Sequence, residues 1–152
     1  MTSKAYDELA NYVLPVVQAQ IQDSKELWPD IKGLFIFTVT KQKKPATVWY
    51  LLLQGKDVPP VITNEEKVAR DATKSKVKVV RIQVEDSNAL ALITGGATGI
   101  KAFLGGKIKV KGDLLLAQRL EAAMDQMGAR ELAIAFIGEH KDMVNKAIKA
   151  KL

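Results

Sequence analysis

Catalysis needs groups that move protons, attack an electrophile or hold a metal, and this chain carries few of them. It has no cysteine, which removes disulfides, thiolate nucleophiles and thiolate metal sites. Its one histidine is His140, so a multi-histidine zinc site is impossible and a Ser-His-Asp triad would have to use that residue. His140 stands between Glu139 and Lys141 and reads as a solvated surface side chain. The carboxylate pairs Glu65-Glu66 and Glu85-Asp86 fall in an expected loop and an expected helix cap. Glu8 and Tyr12 find no acid–base partner. No nucleophile and base come with a third group to orient them. The expectation is a protein that is not an enzyme, with no cofactor and no metal.

One motif invites a different reading. Thr94-Gly95-Gly96-Ala97-Thr98-Gly99-Ile100 looks like the glycine-rich turn of short-chain dehydrogenases, which lets backbone approach a pyrophosphate at a helix start. That turn should follow the first strand of a βαβ unit, yet here it follows an expected helix. Lys101 stands where that family has glycine, and only about fifty residues remain for the rest of a parallel sheet. Tyr6, Tyr12 and Tyr50 are followed four positions on by Ala10, Val16 and Gln54, so a Tyr-x-x-x-Lys pair is missing. Outside its strand–turn–helix setting the motif reads as a helix C-cap and a bend. The alternative it leaves open is an enzyme remnant using acyl-CoA or a nicotinamide cofactor.

The formal charge is +6, from 23 basic and 17 acidic residues in 152. Only Arg70, Arg81, Arg119 and Arg130 are arginines, whereas base and phosphate recognition favours Arg forks. The lysines therefore read mainly as solvating charge, with no nucleic-acid partner. Lys41, Lys43 and Lys44 could make a weak contact with an anionic membrane surface. No apolar run approaches the ~20 residues of a membrane span, and Met1-Thr2-Ser3-Lys4 lacks a secretory h-region. These signs predict a soluble, intracellular protein. A length near ~150 residues predicts one domain, here over 1–149.

The elements that must position any site follow from periodicity. Tyr6, Leu9, Val13, Val17 and Ile21 predict an amphipathic helix over 4–22, with Pro15 bending or splitting it. Leu34–Thr40 and Thr47–Leu53 read as strands, joined by a polar connection from Lys41 to Ala46 that holds Pro45. Residues 54–75 read as a loop with a short edge strand at Val61–Thr63. Lys76–Val84 reads as a strand with Val80, Ile82 and Val84 on one face. Asp86-Ser87-Asn88 would cap a helix over Ala89–Thr94, and a short helix is expected over 97–104. Lys107–Lys111 alternates as a half-buried strand. Gly112-Asp113 would open a helix to Met127, with Leu116, Leu120, Ala123 and Met127 on one face. Leu132–Ile137 is apolar all round and leans to helix, and Met143, Val144, Ala147 and Ile148 mark a last helix, so 126–149 forms an extra helical segment. The class is α+β, with a mainly antiparallel sheet covered by helices on one face.

A set of these segments, in order, resembles one known family. Ile82-Gln83-Val84-Glu85-Asp86-Ser87, followed by Leu92-Ile93-Thr94-Gly95, is similar to the strand, acidic cap and Thr-Gly-ended helix of the sterol carrier protein 2 family. Ala102-Phe103-Leu104-Gly105-Gly106-Lys107-Ile108-Lys109-Val110-Lys111-Gly112-Asp113, then Leu116-Ala117 and Leu120, resembles its Ala-Phe pair, Lys-alternating strand and helix start. Trp49–Leu53 resembles its Trp-containing second strand. The likeness covers about residues 30–125. It departs at Leu52, where the family has a polar residue, often Asp; Leu52 should then be exposed or covered by something extra. Residues 54–75 also match poorly. The last residues, Ala150-Lys151-Leu152, are similar to a Ser-Lys-Leu peroxisomal address, as members of that family often carry.

The resemblance implies a five-stranded sheet and helices around an apolar tunnel. It implies binding and transfer of fatty acids, fatty acyl-CoA, sterols or phospholipids with low selectivity and no covalent chemistry. A peroxisomal import receptor would be a partner, and the location peroxisomal with some cytoplasmic. Candidate lipid-binding residues are Phe35, Phe37, Trp49, Leu51, Leu53, Ile100, Phe103, Leu104, Leu115 and Met124. Leu115 and Met124 are expected near the entrance. Ordinary core packing asks for the same side chains and is the favoured reading of each residue taken singly.

Overall fold

The computed structural model describes residues 14–74, 76–85, 88 and 99–127. Residues 14–22 form helix α1, continuous through Pro15, and Lys25–Leu27 add a 3-10 turn before Trp28. The strands are β1 (Lys32–Lys41), β2 (Lys44–Gln54), β3 (Val61–Thr63), β4 (Val79–Glu85) and β5 (Ile108–Lys111). The helices among them are α2 (Glu66–Ala72), α3 (Gly99–Leu104) and α4 (Leu114–Gln126). Several expectations lie outside the described residues: the helix over 4–13, the cap at Asp86-Ser87, the helix Ala89–Thr94, the glycine-rich turn, His140, the segments Leu132–Ile137 and Met143–Ile148, and the tail.

The five strands pair in the order β3-β2-β1-β4-β5. β1 is antiparallel to β2 but parallel to β4, from Leu34 opposite Val79 to Thr40 opposite Glu85. The sheet is therefore mainly antiparallel, as expected, with three antiparallel pairings and one parallel pairing, β1 with β4. The reason is topological: the chain from β2 to β4 holds β3 and α2, long enough to return and start β4 in the direction of β1.

β1 is central, and its apolar run is buried on both sides. Phe35 and Val39 enter one cluster, while Leu34 and Ile36 enter another. Both faces of this part of the sheet are thus covered, not one. The second cover is α2, which the expected loop over 54–75 had hidden. Its Ala69 is fully buried against Leu34, Ile36 and Leu52. Leu52 has no exposed surface, so α2 is the extra cover its apolar side chain requires. Gln54, itself buried, ties this helix down: its amide donates to Ala72 O at 3.1 Å and accepts from Lys74 N at 2.7 Å. The first of these satisfies a carbonyl that the helix end leaves open. β4, by contrast, alternates as expected, with Val80, Ile82 and Val84 buried and Arg81 and Gln83 exposed.

The β1–β2 connection is tighter than the Lys41–Ala46 span. Only Gln42 and Lys43 turn, at φ 53° and 66°, the left-handed pair that matches strand twist in a two-residue hairpin. Pro45 lies within β2 opposite Thr40, beside a register shift between Val39 and Thr40. Neither turn residue is glycine, and the Glu85 carboxylate supports the geometry. It accepts from Lys43 N and from Thr40 Oγ1, each at 2.6 Å.

Candidate functional site

The first cluster spans the sheet face opposite α2. Register places its side chains in rows. Trp49, Phe37, Ile82 and Val110 lie side by side across β2, β1, β4 and β5. Leu51, Phe35 and Val80 form the next row, and Ile62 of β3 extends it. Val17 and Ile21 of α1 close over this surface, as do Leu120, Ala123 and Met127. The result is one apolar layer between sheet and helices. Among the described residues, the only polar or charged residues that are buried are Thr40 and Gln54.

Polar contacts at the rim hold the two covering helices. Gln18 of α1 donates from Nε2 to Pro60 O at 3.1 Å, and its Oε1 accepts from Ile62 N, clamping α1 to the edge strand. Trp28 Nε1 donates to Ile21 O at 2.5 Å and fixes the other end of α1. Gln126 near the end of α4 donates to Trp28 O at 3.2 Å. At the start of α4, Asp113 caps the helix by accepting from Leu116 N at 3.0 Å. Lys78 reaches the same carboxylate at 2.9 Å. The hydrogen bond from Lys78, and after it the one from Leu116 N–H, holds the Asp113 carboxyl below its ordinary value. Gly33 brings α4 close to the sheet. A Cβ there would stand 2.9 Å from Leu116 Cδ2.

The candidate residues divide by this geometry. Phe35, Trp49, Leu51 and Leu53 are buried in the layer, and Phe37 and Met124 pack against it. Phe103, Leu104 and Leu115 are not brought together with them: they are 40%, 78% and 68% exposed. Phe103 and Leu104 sit in the last turn of a six-residue helix, and Leu115 precedes the inward-facing Leu116 by one position, so the helix turns it outward. The side chain of Ile100 lies outside the described residues. Sequence reasoning missed Gln18, Trp28, Gly33 and Gln126 as the residues that frame the layer. They act through contacts between distant segments, and no local pattern announces them.

Among the described residues no group of three His, Cys, Asp or Glu could hold a metal ion, and no helix is long and apolar enough to cross a membrane.

An apolar layer between a five-stranded mixed sheet and flanking helices defines an α+β fold. The fold resembles that of sterol carrier protein 2 from Yarrowia lipolytica in its apo form, with a TM-score of 0.59 at 17% identity, covering 76% of this chain and 88% of that one. Residues 16–125 match the model of the SCP-2 sterol transfer family, so the chain belongs to that family. Bovine sterol carrier protein 2 is 33% identical over 135 residues, which cover 86% of this chain and 23% of the relative. The chain thus spans about a quarter of the length of that relative. The Caenorhabditis elegans non-specific lipid-transfer protein-like 1 is 22% identical over 116 residues, covering 76% of this chain and 90% of the relative.

Proposed function

We propose that this chain binds a single-chain or sterol-type lipid in its apolar layer and carries it between membranes, without covalent chemistry. The observation that carries the reading is the family match over 16–125, which spans the described sheet, α1 from residue 16 and α4 as far as Asp125. The physics supports it. Removing an acyl chain from water yields ~0.8 kcal/mol per methylene, so ten methylenes contribute about 8 kcal/mol before association costs. Fatty acids, fatty acyl-CoA, sterols and phospholipids all offer such surface, and an apolar layer discriminates weakly among them.

Titration of the delipidated chain with a fluorescent fatty acid, a fluorescent acyl-CoA and a fluorescent sterol tests this directly. Saturable micromolar binding of at least one is expected, together with faster movement of that lipid from donor to acceptor vesicles. Absence of saturable binding by all three would overturn it. The hairpin tip supports a role in docking, because Lys43 and Lys44 are exposed beside Lys41. Transfer should accelerate with anionic acceptor vesicles and slow with added salt. The ending Ala150-Lys151-Leu152 supports import into peroxisomes through the tripeptide receptor. A fluorescent fusion that keeps this ending should be punctate, and deletion of the three residues should disperse it. A diffuse intact fusion would remove that part of the reading.

A further inference from the structure

Among the described residues, one buried side-chain polar atom lacks a hydrogen-bond partner, and it belongs to the apolar layer. Trp49 is 8% exposed, its Nε1 is shut off from solvent, and among the described residues that N–H has no hydrogen-bond partner. Among the described residues, the other buried side chains that carry polar atoms are all engaged. Trp28 donates to Ile21 O, the Thr40 hydroxyl donates to Glu85, and the Gln54 amide bonds Ala72 O and Lys74 N. A buried donor without a partner is a standing cost that a phenylalanine or leucine would not carry. Trp49 stands mid-strand, opposite Phe37 and in line with Ile82 and Val110, and its side chain belongs to the buried apolar cluster that α1 and α4 cover.

We propose that Trp49 Nε1–H is the polar anchor for the bound lipid, donating a hydrogen bond to a neutral acceptor oxygen. Suitable oxygens are an ester or ketone carbonyl or a hydroxyl that enters together with the apolar body. The neutral class follows from the surroundings. Among the described residues no Lys, Arg or His side chain is buried; the buried polar residues are Thr40 and Gln54. One N–H cannot offset the burial of a carboxylate's charge, but it matches a single carbonyl or hydroxyl oxygen well. The inference rests on the lipid-binding reading above and adds the chemistry of the group the layer selects.

The experiment replaces Trp49 with 3-benzothienylalanine, which keeps the bicyclic shape and puts sulfur where the N–H stood. Trp49→Phe is a second variant without the donor. Affinities for methyl palmitate and for the pure hydrocarbon fluorophore diphenylhexatriene are measured on each protein. The ratio of ester to hydrocarbon affinity should fall roughly tenfold in both variants, the loss of one well-placed hydrogen bond in a dry site. In the natural chain labelled with nitrogen-15, the Trp49 indole proton should move downfield with methyl palmitate and not with the hydrocarbon. The Trp28 indole, already bonded to Ile21 O, serves as the reference. An unchanged ratio, or an indole signal that ignores the ester, overturns the proposal. A variant that loses palmitate anion rather than the ester overturns the neutral class. If the natural chain binds neither ester nor hydrocarbon, and none of the fluorescent fatty acid, acyl-CoA and sterol either, it is the lipid-binding reading that fails; binding of those lipids without the ester overturns the anchor alone, so the two failures are told apart.

Discussion

Gly112 offers the sharpest test of how the layer is assembled. It joins β5 to α4 at φ +122°, a backbone conformation that L residues rarely adopt. A Cβ there would lie 2.7 Å from Val79 O and 3.3 Å from Val80 Cα. Both are backbone atoms of β4, which is held by pairing with β1 on one side and β5 on the other. Nothing flexible can rotate away. The conformation itself costs about 1–3 kcal/mol for alanine, and the overlap adds about 1–3 kcal/mol of overpacking. Gly112→Ala should therefore lose about 3–5 kcal/mol, a large share of the ~5–15 kcal/mol that stabilises a typical domain. For a chain of this size that is a fall in Tm of roughly 10 °C, read by far-ultraviolet circular dichroism. Gly33→Ala is the control. Its backbone is not left-handed, and its Cβ would meet the Leu116 Cδ2 at 2.9 Å and the Phe35 ring at 3.2 Å, both side-chain atoms. It should cost about 1 kcal/mol, near 3 °C, and show more in lipid affinity, because Leu116 packs on the layer. A Gly112→Ala protein melting within about 2 °C of the natural chain, or a Gly33→Ala protein that melts lower than it, would refute the reasoning.

Other perturbations follow from the same contacts. Leu52→Asp buries a carboxylate under Ala69, so the domain should unfold or lose more than about 4 kcal/mol; a well-folded variant would mean that α2 does not cover that face. Asp113 is held below its ordinary carboxyl value of 3.8 in the folded state, so its contribution is present above that value and is lost as pH falls below it through the folded value. Asp113→Asn retains a capping side chain, and its melting temperature should depend less on pH in that acid window; equal pH dependence in the two proteins would count against the Lys78–Asp113 contact. Glu85→Ala removes the acceptor for Lys43 N and Thr40 Oγ1, and should cost about 1 kcal/mol and speed hydrogen exchange at the Lys43 amide, which nuclear magnetic resonance reads out.

Much of this protein is written locally. The alternation of Val80, Ile82 and Val84 identifies β4 because one face of it meets solvent and the period of two survives. Asp113, ahead of the stripe Leu120, Ala123 and Met127, marks α4 because capping and a 3.6-residue period act within a few residues. The family is also legible, since its motifs lie in order along the chain. The tertiary structure decided the rest. α2 escapes a periodicity reading because only Ala69 of its seven residues is buried, while its exposed flank carries the Glu66–Arg70 pair at 3.4 Å. The parallel pairing of β1 with β4 depends on where a chain of more than twenty residues returns, and no strand pattern records direction. The same holds for the site. Phe35, Leu51 and Leu115 are alike as apolar residues, and only the fold buries the first two in the layer while leaving the third in water. Hydrophobicity determines that a side chain seeks cover. Which cover it finds, and that Trp49 alone among the described buried side chains keeps an unpaired donor there, is set by contacts between segments far apart in sequence.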